Sequence, residues 1–485
     1  MNWWVLRRKI HISWLIAALC IGIFIGIFFA KFNTYLFTSS IIFVLMAAFI
    51  IIFVLWRKSM YLIPLLIIGG VLFGLWRGSV SQSELAEFKP LYKHLVSVTG
   101  GVKDDVDIGT SNQMIIRLDS LAINGKLMPG SLYISSASLS DIKRGDKLIL
   151  HGTLNEGFGN FSGVMYRATV EKVIHPKPGD IARAVRDWFA DSIRRVIPEP
   201  EASLGIGYLV GQRRALPIDL SEALKLVGLT HVIVASGYNL TILVRLARRL
   251  FIKVSKYASA LAAIAMIVVF MAIAGASPSM SRAGLIASLS LAAWYYGRKF
   301  HPIILLSIAV AVTVLINPSY AWGDLGWQLS FAAFAGVMIL APLSQRYFFG
   351  DKKPGTIAQI LGETISAQIM TAPIIIASFG QLSNVAIVSN LLVLPFVPIA
   401  MLLTFIAGIS SLLIPSVATL VALPATWLLG YSVGVTEYLA GLPWVSSSVN
   451  LAWWGLGLSY LSITGICIYM WRVTKYNLRE TNLVE

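Results

Sequence analysis

Charge is scarce in this chain of 485 residues: Asp, Glu, Lys and Arg together make up 13%. A soluble chain carries about twice that share, which excludes an ordinary water-exposed globular fold. Cysteine is scarcer still. Cys20 and Cys467 are the only two, each inside an apolar run, which excludes a disulfide framework and a cysteine-built metal site. The six histidines stand singly, with neither HxH nor HExxH spacing for zinc. No GxxxxGK[ST] occurs, so the chain has no phosphate loop to power a motor of its own. No A-x-A site follows the apolar run that ends at Ala30. MNWWVLRRKIH therefore reads as the start of a retained anchor rather than of a cleavable signal.

What fills the chain instead is apolar: 57% of it is hydrophobic. Long apolar runs recur, which predicts a polytopic α-helical membrane protein. Twelve spans are expected, near 13–30, 38–56, 61–76, 224–244, 258–276, 280–297, 302–317, 325–343, 356–379, 384–411, 416–440 and 449–471. Arg7, Arg8 and Lys9 precede the first span, and Arg57 and Lys58 follow the second. The positive-inside rule then puts both termini in the cytoplasm and the segment after Trp76 outside.

Residues 78–180 have a different texture. In QMIIRLDSLAI, Met114, Ile116 and Leu118 fall on one face and Ile115, Arg117 and Asp119 on the other. LVSVTGGV, SLYIS, KLILHGTL and VMYRATVEKVI complete about five short strands between Gly, Asn, Asp and Ser turns. Five strands in this length suit an extracytoplasmic OB-like small β-barrel. A five-stranded sandwich fits the same spacing. The expected layout is three helices (1–77), the β domain (78–180), a surface helix and connector (181–222), a channel domain (223–472) and a cytoplasmic tail (473–485).

The chain carries a net charge of +16, and residues 78–180 contribute none of it, with eleven acids against eleven bases. Most of the excess lies in loops where topology requires it. Arg183, Arg186, Arg194, Arg195, Arg213 and Arg214 do not fit that pattern. IARAVRDWFADSIRRVI has helical periodicity, with Ile181, Val185, Trp188, Phe189, Ile193 and Val196 along one side. It reads as a helix in the outer membrane surface, its arginines forming an entrance for an anion.

Polar groups also interrupt the spans. GLTHVIVASGYNLTILV carries His231, Ser236 and Asn239 around Gly237. At about 100° per residue the three polar side chains share one side of a helix, and Gly237 lets the helix open. GASPSMSRAGL places Arg282 at the start of an apolar run. GDLGWQLSF places Asp324 and Gln328 one turn apart, with Ser330 beyond; Asp324 also suits an N-cap for the helix that begins at Leu325. ETISAQIMTAP adds Glu363 and Gln368. Singly, each group has an ordinary structural explanation. Four clusters in four spans point to an intramembrane polar path.

These segments resemble the competence domain of ComEC-type DNA-uptake channels. GLTHVIVASGYNLTILV is similar to that family's GLxHLLAISGLHVGL, with His231, Ser236 and Gly237 matching and Asn239 in place of a second histidine. PSMSRAGLIASLSL resembles PSxxRAxxMxxLxL, matching Pro278, Ser279, Arg282 and Ala283. NPSYAWGDLGWQLSF resembles DPxxLxDxGFQLSF, matching Asp324, Gly326, Gln328 and Ser330. The resemblance covers roughly residues 60–440, in the family's order.

It implies a channel that moves single-stranded DNA across the cytoplasmic membrane during natural transformation. The implied partners are a cytoplasmic helicase-like motor, an extracytoplasmic DNA receptor, a separate nuclease and the lipid bilayer. Long family members add a C-terminal metallo-β-lactamase-like domain; this sequence holds no HxHxDH, so no nuclease activity, no other catalysis and no cofactor are expected of it. Trp188, Tyr208, Tyr238 and Trp322 are candidates for stacking on bases. Two rival readings remain: a transporter of nucleotides or other anionic solutes, and an intramembrane serine protease built on VASG with His301.

Overall fold

The computed structural model describes residues 11–32, 41–57, 60–108, 113–137, 141–177, 179–212, 216–233, 237–275, 278–298, 301–352 and 354–476. Eight of its helices are long and apolar enough to cross a membrane, and the protein is membrane-embedded. They are Ile12–Ala30, Ile63–Leu91, Lys256–Ala274, Leu325–Phe349, Ile357–Phe379, Ala386–Leu413, Pro415–Ala440 and Trp454–Thr474. The expected count of twelve is not reached among the described residues. Phe43–Val54 and Pro302–Ile316 are apolar but shorter. The segment 224–244 is not one helix: it contributes to Ile218–Leu226, Thr230–Ile233 and Gly237–Phe251. Gly228, at φ +79°, turns the chain after the first of these, and a hydropathy window does not register a left-handed residue.

The chain divides into two compact units, Met1–Gly179 with His301–Gln328, and Asp180–Phe300 with Leu329–Glu485. In the first unit, helices Ile12–Ala30 and Ile63–Ala86 pack through glycine. Gly22 and Gly26 face Gly70 and Gly74 so closely that a Cβ at Gly70 would sit 2.6 Å from the Leu19 carbonyl oxygen. One at Gly26 would lie 2.8 Å from Leu75 N. Lipid tails are as apolar as leucine, so helices in a bilayer gain from close van der Waals approach, which small residues permit. The Ile63–Ala86 helix runs nine residues beyond the expected boundary at 77, because SVSQSELA continues its hydrogen-bond ladder.

The β domain is a closed barrel. Its strands are β1 (Leu95–Val102), β2 (Asp107–Ile108), β3 (Met114–Ile123), β4 (Lys126–Met128), β5 (Leu132–Ser136), β6 (Lys147–Glu156), β7 (Gly163–Met165) and β8 (Thr169–Ile174). Five of them form a ring, β1-β3-β5-β7-β6, which the β1–β6 pairing closes. Within that ring only β5 and β7 run parallel. Closure removes the sandwich alternative and leaves the five strands without open edges. Met114, Ile116 and Leu118 point inward as their alternation requires, against Leu132, Leu148 and Leu150. VMYRATVEKVI makes two strands rather than one, since Arg167 at φ +54° turns the chain between β7 and β8.

The second unit is mainly helical, with one short antiparallel pair, Gln381–Ser383 against Ser446–Ser448. Its main core joins Ile193, Leu204, Tyr208, Leu224, Met401 and Leu429. Phe189 seats on Gly408, where a Cβ would meet its ring at 2.7 Å. Ser192 Oγ lies against the carbonyls of both Phe189 and Gly408 (2.6 and 3.3 Å). A smaller core, including Leu240, Val244, Ile267, Phe270, Met280 and Leu291, holds Gly237–Phe251, Lys256–Ala274 and Pro278–Tyr295 together.

Candidate functional site

Asp324 begins the helix Leu325–Ala335. Its Oδ1 accepts from Trp327 N at 2.6 Å, so the carboxylate caps the free amides of the first turn. Its Oδ2 accepts from Asn160 Nδ2 at 2.9 Å. Asn160 lies in the β6–β7 loop of the barrel, so one side chain caps a membrane helix and ties it to the β domain. The backbones beside it also touch: a Cβ on Gly323 would meet the Gly159 oxygen at 2.7 Å. Trp327 anchors the same turn, with Nε1 donating to Thr313 Oγ1 at 2.9 Å and its ring stacked on Phe24.

In the second unit, Gly237 opens its helix against Ala283, to which a Cβ would stand 3.2 Å. Asn239 is fully buried, and its Nδ2 donates to the Tyr208 carbonyl at 2.9 Å. A buried amide bonded to a buried backbone carbonyl ties two elements together. His231 precedes Gly237–Phe251, the segment that carries Asn239. It sits exposed on Thr230–Ile233, with Nδ1 donating to the Gly228 carbonyl at 3.1 Å. Residues 234–236 lie outside the described residues, Ser236 among them, so the shared helical side expected for His231, Ser236 and Asn239 falls in part on them.

Arg282 is the prominent charge of this unit. It is 2% exposed on Pro278–Tyr295, with its guanidinium carbon 5.9 Å from the centroid of the Phe331 ring. Between Glu222 and Asp324 the sequence holds no Asp or Glu. Gln328, Ser330, Glu363 and Gln368 are half-buried, and Glu363 accepts from Gln359 Nε2 at 3.0 Å. A π-helical turn, Gly336–Leu340, interrupts the span that carries Ser330. There Gly336 lets the backbone approach the Ser366 carbonyl.

The arginines of Ile181–Arg194 differ from expectation. Arg186 is buried and pairs with Asp187 at 3.0 Å, and Arg183 lies 4.0 Å from the same carboxylate. Arg194 contacts Asp191 (3.2 Å) and Glu199 (3.4 Å). Residues 180–199 hold four acids and four bases, so the segment presents no net positive field. Arg195 is exposed. Arg213 and Arg214 lie outside the described residues. The expected apolar side divides: Phe189 and Ile193 pack inward, whereas Ile181, Val185 and Trp188 stay exposed.

Sequence reasoning missed Asn160 and the paired role of Asp187. Asp187 stood in the quoted helix, four residues after Arg183 and beside Arg186, a spacing that signals pairing. Asn160 gave no such signal, being 164 positions from its partner.

A family model described as Competence protein matches residues 208–475, more than half of the chain. ComE operon protein 3 of Bacillus subtilis (strain 168) is 24% identical over 228 residues. That match spans 47% of this chain and 28% of the relative, well under a third of its length. No solved structure matches. The matched region takes in Tyr208, Gly237, Asn239 and Arg282 together with the helix that Asp324 caps, and on that extent the chain belongs to the competence protein family.

Proposed function

We propose that this protein conducts single-stranded DNA through the cytoplasmic membrane during natural transformation, without converting it chemically. Arg282 carries the reading. A guanidinium taken into apolar helices costs several kcal/mol, and such groups mark ion or substrate pathways. A cation so placed favours a passing phosphodiester, which brings one negative charge per nucleotide. The Phe331 ring lies against the guanidinium and orients it.

Ser330, Glu363 and Gln368 supply further polar contacts along the path, and Gln328 extends them at the start of the capped helix. Asp324 acts by positioning: it fixes the origin of the helix that bears Ser330 and Phe331. The strand order of the barrel supports an OB-type assignment. Because its β6–β7 loop is engaged by Gly323 and Asp324, the barrel braces the channel helix rather than reading DNA. Both termini face the cytoplasm and the barrel faces outward. A cytoplasmic motor supplies the pulling force, and a DNA receptor and a nuclease act before the strand reaches this chain.

Deletion of the protein followed by two separate assays tests this function. DNA should still bind the cell surface, while protected DNA no longer reaches the cytoplasm. Loss of nucleotide or other small-anion uptake with DNA arrival intact would replace the channel by a solute transporter.

A further inference from the structure

Apart from Arg282, the three-helix bundle Gly237–Phe251, Lys256–Ala274 and Pro278–Tyr295 carries its charge at one tip. Six cations gather where the first helix hands over to the second and where the third ends: Arg245, Arg248, Arg249, Lys253, Lys256 and Arg298. No acid occurs anywhere in the bundle's sequence. Arg248 is only 9% exposed, with its guanidinium carbon 4.8 Å from the Trp294 ring centroid. Lys256 Nζ stands 5.7 Å from the same ring and 5.5 Å from Tyr295. Ser259 Oγ donates to the Arg248 carbonyl at 2.9 Å and fixes the turn between the helices. Two cations are thus held beside one indole.

The same tip is apolar. Leu250 (65%), Val254 (73%) and Tyr257 (68%) are exposed, interleaved with Arg249, Lys253 and Lys256. A surface built for nucleic acid or for an acidic protein face has no use for exposed aliphatic side chains between its cations. A leaflet of anionic phospholipid uses both: acyl chains receive the aliphatic groups and headgroup phosphates meet the cations. We propose that this tip is a docking site for anionic phospholipid, with Arg248, Lys256 and Trp294 forming the headgroup clamp. Positive-inside topology is satisfied by charge in the loop alone; it does not call for a buried arginine and a lysine gathered on one ring.

The test uses the full chain purified in mild detergent. Retained lipid is identified by native mass spectrometry after exposure to equal dioleoyl-phosphatidylglycerol and dioleoyl-phosphatidylcholine. The wild type should retain phosphatidylglycerol with about tenfold preference, and Arg248→Gln/Lys256→Gln should lose it. Arg249→Gln/Lys253→Gln replaces exposed side chains only, so it carries the test if the first variant misfolds; it should weaken the preference. Equal retention of both lipids by the wild type overturns the proposal. So does an undiminished preference in the exposed-residue variant. Binding of labelled oligothymidylate is measured on the same samples. Loss of oligonucleotide binding with lipid preference intact also overturns it, and assigns the tip to nucleic acid.

Discussion

Asn160 donates from its side-chain amide to Asp324 Oδ2 at 2.9 Å, across 164 positions of sequence. Asp324 meanwhile spends its other oxygen on Trp327 N. Asp324→Ala removes a cap and leaves the Asn160 amide without its acceptor, which together should cost about 2–3 kcal/mol. Asp324→Asn keeps an oxygen for the cap but turns an amide N–H₂ toward Asn160, whose own amide must flip to accept from it, and should cost less, about 1 kcal/mol. Thermal unfolding of the two variants reads this difference. DNA import should follow the same order, because a positioning role tolerates the neutral amide. Loss of import in the stable Asp324→Asn variant would show that the negative charge itself is required.

The glycine seam gives a sharper stability test. Gly74→Val puts a branched side chain against the Ile23 carbonyl and, at 2.9 Å, the Ile27 amide nitrogen. Helices Ile12–Ala30 and Ile63–Ala86 should then separate at a cost of about 3 kcal/mol. Gly434→Ala is the control. Nothing lies within 4 Å of its added Cβ, and alanine there should be neutral or better by about 0.5–1 kcal/mol. Equal melting temperatures for the two variants would mean that the seam contributes little.

Asp104 of the barrel links stability to pH. Burial pushes its carboxyl above the usual carboxylate range, and Arg117, 3.8 Å away, offsets only part of that shift. The folded state therefore holds the proton more tightly than the unfolded chain. Barrel stability from this group rises as pH falls through the raised folded value, and it is lost as pH climbs through that window. Asp104→Asn should remove this slope and stabilise the barrel near neutral pH, as read by amide hydrogen exchange of β1 and β3. A less stable barrel in the variant would mean that the pull of Arg117 outweighs burial.

The surface helix separates structural from steering charge. Arg186→Ala removes a buried partner of Asp187 and should cost about 1–2 kcal/mol, a figure discounted because Asp187 is partly exposed. Arg195→Glu alters an exposed site on a segment of zero net charge. Import should change by less than about twofold at physiological salt. A steep loss of import in Arg195→Glu, with normal insertion, would restore the basic entrance that the run of arginines suggests.

How much of this was legible in the sequence depends on the distance between partners. The inward face of β3 was readable because alternation is a property of neighbours: Met114, Ile116 and Leu118 are buried as written. Apolar runs gave the long spans for the same reason. Closure of the barrel was not readable, since β1 meets β6 through pairing some fifty positions apart. The break of 224–244 turns on one left-handed glycine, Gly228. Periodicity read over 224–244 treats the run as one helix and does not register that turn. The cap by Asp324 was visible beside its helix; its bond to Asn160 was not.

The most direct measurement of the central claim is recovery of labelled single-stranded DNA inside cells that carry Arg282 variants at normal membrane levels. The account predicts that Arg282→Gln lowers cytoplasmic DNA by about a hundredfold, or about 2.7 kcal/mol. Surface binding of DNA should be unchanged, and Arg282→Lys should restore part of the loss because it returns the charge without the planar fork. Undiminished DNA arrival in Arg282→Gln would contradict it.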